Sequence, residues 1–124
     1  MFKKKQAVKA DNDWTLEYKA RWDAATKAMK RLQGQVGDTE TALRCLELYG
    51  CNDLRVQAAK RVNEARNELY ARAKEYRHAV ARIESYYALY WEDIEVDWRP
   101  SQWKSEIEVI EFAFQRIHDL YYKV

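Results

Sequence analysis

The chain has 124 residues, 48% of them hydrophobic and 34% charged, with three Gly, one Pro and a net charge of +2. So little turn-forming material excludes an all-β sandwich or barrel, which needs a turn signal every 8 to 12 residues, and equally a collagen-like or Pro/Gly-rich disordered chain. The charge is uneven: residues 1–10 carry four Lys and no acid, whereas residues 91–124 carry four basic and eight acidic side chains.

Residues 1–10, with Lys3, Lys4, Lys5 and Lys9, read as a basic arm ahead of a single helical domain over 11–124. The first helix is expected to start near Asp11 to Asp13, where Asn and Asp side chains can accept the unpaired amides of a first turn. Trp14, Tyr18, Trp22, Ala25, Met29 and Leu32 then recur at alternating intervals of three and four, one stripe of a helix. Glu17 with Arg21 and Asp23 with Lys27 are acid-first pairs four residues apart on its other faces. Gly34 is the expected stop.

A short second helix is expected over Thr39 to Tyr49, capped by Asp38 or Thr39 and ended by Gly50. Its apolar residues surround most of its circumference, which predicts a helix wedged between longer ones. The third segment, from Asn52 or Asp53 to about Trp91, lacks Gly and Pro and keeps a seven-residue rhythm through Ala58, Val62, Ala65, Leu69, Tyr76, Val80, Ile83, Tyr87 and Tyr90. Arg72 interrupts that stripe, with Ala73 beside it and Glu68 one turn earlier. Nearly forty helical residues make a rod of roughly 60 Å.

From Glu92 to Asp97, acidic and apolar residues alternate, a period of two that suits an extended connector. After Pro100 and Ser101 the last helix carries the cleanest heptad: Trp103, Ile107, Ile110, Phe114, Ile117 and Tyr121. The expected fold is therefore all-α. It is an elongated antiparallel bundle of three main helices, one of about 40 residues projecting beyond the others, plus one short helix.

No run approaches the roughly 20 apolar residues needed to cross a bilayer, and the polar start lacks the apolar core of a secretion signal. A soluble protein of the cytoplasm, with Cys45 and Cys51 as reduced thiols, is the expectation. The two cysteines and the separated His78 and His118 lack zinc-ligand spacing, and Glu92, Asp93, Glu95 and Asp97 lack the order and the glycine of a calcium loop. Neither a metal nor a cofactor is expected. There is no phosphate-binding Gly-rich loop, nucleophile elbow or His-Glu-x-x-His.

Nine Tyr and five Trp exceed what a minimal core requires, and they crowd the region from Tyr86 to Trp103. Because Trp and Tyr dominate interface hot spots, Tyr90, Trp91, Trp98 and Trp103, with Glu95 and Asp97 to select a basic partner, are the candidate protein-binding residues. The function expected on these grounds is a non-enzymatic assembly, adaptor or inhibitor-type protein that binds a protein partner or associates with its own copies, of a kind common among viral and mobile-element accessory factors. Two other readings remain at this point. One is a nucleic-acid-associated factor using Lys3, Lys4, Lys5 and Lys9 with the Arg-bearing long helix; the other is a small helical enzyme that holds an anionic substrate near Arg72.

Overall fold

The computed structural model describes residues 12–49 and 53–123. The basic arm with its four lysines, Gly50, Cys51 and Asn52 lie outside the described residues. Among the described residues three helices follow in order, α1 over Asp13–Tyr49, α2 over Leu54–Tyr90 and α3 over Gln102–Lys123, with a 3₁₀ turn at Trp91–Asp93. The protein is all-α, an elongated antiparallel bundle.

Two of the expected elements are one. The stop at Gly34 and the separate short helix from Thr39 do not exist, because α1 runs unbroken for 37 residues through Gly34 and Gly37. The reason lies in the rhythm. Tyr18, Trp22, Ala25, Met29, Leu32, Val36, Thr39, Leu43 and Leu46 continue the alternation of four and three across both glycines without a change of phase, and each is buried or half-buried. An unbroken apolar stripe rewards a continuous helix by more than the roughly 1 kcal/mol that each interior glycine costs. Thr39 is no cap either. It is fully buried in mid-helix, where its Oγ1 donates to Gln35 O at 2.8 Å, and Gln35 Nε2 crosses to Ala65 O of α2 at 3.1 Å. The segment is not wedged between helices, since Leu43 and Leu46 enter the core while Leu48 stays in solvent.

A Cβ placed on Gly34 or on Gly37 meets nothing within 4 Å. Ala at both positions is expected to raise stability by about 1 to 2 kcal/mol, since it removes backbone entropy from the unfolded chain and adds no clash. A chemical-denaturation midpoint that falls instead would show that α1 bends at this point.

The other start and stop signals that fall on described residues hold with local adjustments, and the stop at Gly50 lies outside them. Asn12 caps α1, its Oδ1 accepting the Thr15 N–H at 2.7 Å. Asp53 stands at the start of α2 but makes no side-chain capping bond. Helix α2 ends at Tyr90, and α3 opens at Gln102, whose Oε1 accepts the Arg99 N–H at 2.9 Å.

Helices α1 and α2, both about 55 Å long at 1.5 Å per residue, form an antiparallel hairpin. Trp14 lies against Tyr90, Tyr18 against Tyr86, and Arg31 against Glu75. The expected stripe of α2 is its buried face: Ala58, Val62, Leu69, Tyr76, Val80 and Ile83 point into the core, and Ala73 takes the place that Arg72 vacates. Arg72 is half-exposed and bridges Glu68 at 2.7 Å and Glu75 at 3.6 Å. Helix α3 lies along one flank of the hairpin, with Trp103 against Trp22 and Tyr76, Phe114 against Tyr70 and Arg116 paired with Glu40 at 2.6 Å. It is therefore the whole hairpin, rather than one long helix, that extends beyond the rest.

The segment expected to be extended, Glu92 to Asp97, begins instead with Glu92 and Asp93 in the 3₁₀ turn, and the chain becomes extended at Ile94 and runs without regular structure to Arg99. Ile94 is buried, Val96 and Trp98 are half-buried, and Glu95, Asp97 and Arg99 face solvent. Successive turns of α1 hold it down. Asn12 Nδ2 donates to Asp93 O at 2.8 Å, the Glu95 N–H donates to Thr15 Oγ1 at 2.9 Å, and Tyr18 Oη donates to Trp98 O.

Candidate protein-interaction site

Nine aromatic side chains form a connected cluster that runs from the open end of the hairpin into its middle. Trp14 stacks on Tyr90 with ring centroids 4.6 Å apart, Tyr90 meets Tyr86 at 4.8 Å, and Tyr18 contacts Tyr86, Tyr87 and Trp22 at 6.3, 5.7 and 5.9 Å. Trp22 then contacts both Trp98 and Trp103 at 5.3 Å, and Trp103 meets Tyr76 edge-on at 5.9 Å. Offset and edge-on pairs at these separations add about 0.5 to 1.5 kcal/mol each to what burial supplies.

Of the six residues singled out in the sequence, Tyr90, Trp98 and Trp103 belong to this cluster and Trp91, Glu95 and Asp97 do not. Trp103 is only 7% exposed and belongs to the core. Tyr90 and Trp98 are half-buried, each with a ring face committed to a neighbour inside the chain. Trp91 is 56% exposed. Glu95 and Asp97 lie at the surface of the connector, Asp97 Oδ1 sitting 3.3 Å from Arg99 Nε. The end of the bundle also gathers Trp14, Leu16 and Leu89, large apolar side chains that remain substantially exposed. Spacing alone carried the signal for two of these: Leu16 and Leu89 fall off the core stripes of their helices, where a soluble helix ordinarily places polar groups. Asp93 and Glu95, whose backbone is tied to Asn12 and Thr15, put exposed carboxylates at this end of the bundle.

The buried phenols are electrostatically marked. Burial pushes the Tyr76 hydroxyl up to about 12, with the Glu106 carboxylate adding to the effect. Tyr18 is raised further, again chiefly by burial, and Tyr86 is raised in the same way. Tyr76 Oη and Trp103 Nε1 are buried with no hydrogen-bond partner among the described residues. A folded phenol whose pKa exceeds the unfolded value of about 10 adds stability that is intact below pH 10 and is lost as the pH climbs toward 12. Denaturation midpoints should therefore hold steady up to about pH 10 and then fall, and Tyr76→Phe should soften that fall. An alkaline limb unchanged in the variant would mean that Tyr76 ionises freely in the folded protein.

At the middle of the hairpin, Arg31 holds Glu75 through two hydrogen bonds of 2.7 and 3.1 Å, which keeps the Glu75 carboxyl below its ordinary range. Arg72, the anomalous stripe residue, has its charge matched by Glu68 and the same Glu75. Cys45 is a half-buried free thiol. His78 is exposed, and His118 lies 3.7 Å from Asp119 at the surface. Among the described residues no three His, Cys, Asp or Glu side chains gather as a metal site, and no helix is long and apolar enough to cross a membrane.

Comparison with protein-family models, with curated proteins and with solved structures gave no match for this chain.

Proposed function

We propose that this is a non-enzymatic assembly or adaptor protein that works by docking another protein on the end of the bundle where α1 begins and α2 stops. The observation that carries this reading is Trp91. More than half of it lies in solvent at the point where α2 gives way to the connector, next in the chain to Tyr90, on which the partly exposed Trp14 stacks. An indole left outside a core that has absorbed Trp103 and half of Trp98 is a ready anchor for a partner's pocket. The exposed carboxylates of Glu92 and Asp93 next to it in the chain, with those of Glu95 and Asp97 further along the connector, favour a partner whose surface carries Lys or Arg, and they repel one that is acidic.

The test is a photo-crosslinking amino acid placed at Trp91 in cells that normally make the protein, with the same group at the exposed Lys60 of α2 as control. The reading expects a discrete adduct at Trp91 that is absent at Lys60 and weakened by reversing Glu95 and Asp97 to Lys. The same adducts from both positions, or none from Trp91, would overturn it.

A further inference from the structure

The hairpin of α1 and α2 has two flanks, and α3 occupies only one. Trp22 and Glu40 are among the α1 residues that meet α3. The opposite flank forms a groove of about 400 Å³ floored by Ala24, Ala28 and Ala79 and edged by Arg31, Glu75 and Arg82. Small side chains there leave room for a helix to approach closely. Helix α3 has a second unsatisfied face of its own. Its heptad residues Trp103, Ile110 and Ile117 are buried, whereas Val109 and Phe112, off that heptad, are 61% and 66% exposed.

We infer that these two surfaces are halves of one contact, in which the outer face of α3 from one copy of this chain lies in the free flank of the next copy's hairpin. This deepens the assembly reading and rests on it, and it names a second copy as the partner at a surface separate from the Trp91 end. Three observations select that occupant. Phe112 and Val109 are apolar knobs of the size the alanine floor admits. Among the side chains with no ion pair among the described residues, Glu108 and Glu111 lie beside the knobs on α3 and Arg82 at the edge of the groove, opposite in sign. Moreover, the α3 helix, at 22 residues, is shorter than the 37-residue helices that form the groove, and its inner face already packs against the same hairpin on the other flank. One chain cannot satisfy both halves itself, because α3 is held on the far side by its own heptad. The contact is heterologous, so each added copy presents a new groove and a new α3 face, and the product is a ring or an open chain.

The experiment uses two one-sided variants at exposed positions, Phe112→Asp to remove the knob and Ala24→Glu to block the groove, each checked for an unchanged helical melt. Sedimentation of the wild-type protein from micromolar to submillimolar concentration should show a mass that grows past that of a dimer. Each variant alone should remain at the 14.9 kDa of one chain. Mixed in equal amounts, they should form a particle of two chains and nothing larger, because the intact knob of one meets the intact groove of the other while both outer ends are dead. A wild type that stays monomeric throughout, a variant that assembles like wild type, or a mixture that remains monomeric would each overturn the inference. The Trp91 crosslink, repeated in Phe112→Asp, keeps the two readings apart: its persistence without self-association leaves the end-face reading standing, and its absence from a protein that still self-assembles removes that reading alone.

Discussion

Replacing Tyr18 with Ala is expected to lower the stability of the protein by about 3 to 5 kcal/mol, the range for removing a large buried aromatic side chain. Tyr18 is fully buried, and its ring touches those of Trp22, Tyr86 and Tyr87, so the substitution opens a cavity at the junction of both long helices. Its hydroxyl also fastens the connector by donating to Trp98 O. Tyr18→Phe isolates that bond and should cost about 0.5 to 1.5 kcal/mol, the usual net worth of one hydrogen bond. Urea denaturation of the two variants separates the terms. A loss under about 1 kcal/mol for Tyr18→Ala would mean that the aromatic cluster does not close around this position.

Trp103→Ala should be destabilising to a similar degree, about 3 to 5 kcal/mol, because the ring is almost wholly buried between Trp22 of α1 and Tyr76 of α2. It is the main anchor of the N-terminal end of α3. Its indole N–H has no partner among the described residues, so Trp103→Phe sacrifices volume without sacrificing a hydrogen bond and should cost clearly less than the Ala change. Trp91→Ala, by contrast, should fall within about 0.5 kcal/mol of the parent, as exposed substitutions do. The contrast bears directly on function: a loss of partner binding in Trp91→Ala at unchanged stability is an interface effect, whereas any loss in Trp103→Ala is confounded by unfolding. Near-equal stability losses for the two would contradict this division of the tryptophans.

What the sequence by itself determined is periodic. Tyr18, Ala25, Leu32, Leu69, Tyr76, Ile83, Ile110 and Ile117 are core residues because alternating steps of three and four put them on one side of a helix, and the alternation from Glu92 to Asp97 marked a non-helical connector from Ile94 onward but not the 3₁₀ turn that holds Glu92 and Asp93. The partner of the out-of-place Arg72 was legible too, since Glu68 is one helical turn away. What only the tertiary structure decided is how those faces are covered. Two glycines in four residues signal a stop when weighed locally, yet packing against α2 along the whole of α1 outweighs their cost, and two short helices become one long one. Tyr90, Trp91, Trp98 and Trp103 have the same chemistry in the sequence. Their division into buried, half-buried and exposed depends on where the connector turns and on α1 residues such as Trp14 and Trp22, some seventy to eighty positions away in the chain. Periodicity identifies an apolar face but not the neighbour that buries it. That choice is made by long-range packing, and here it leaves Trp91, the outer face of α3 and one flank of the hairpin open to solvent.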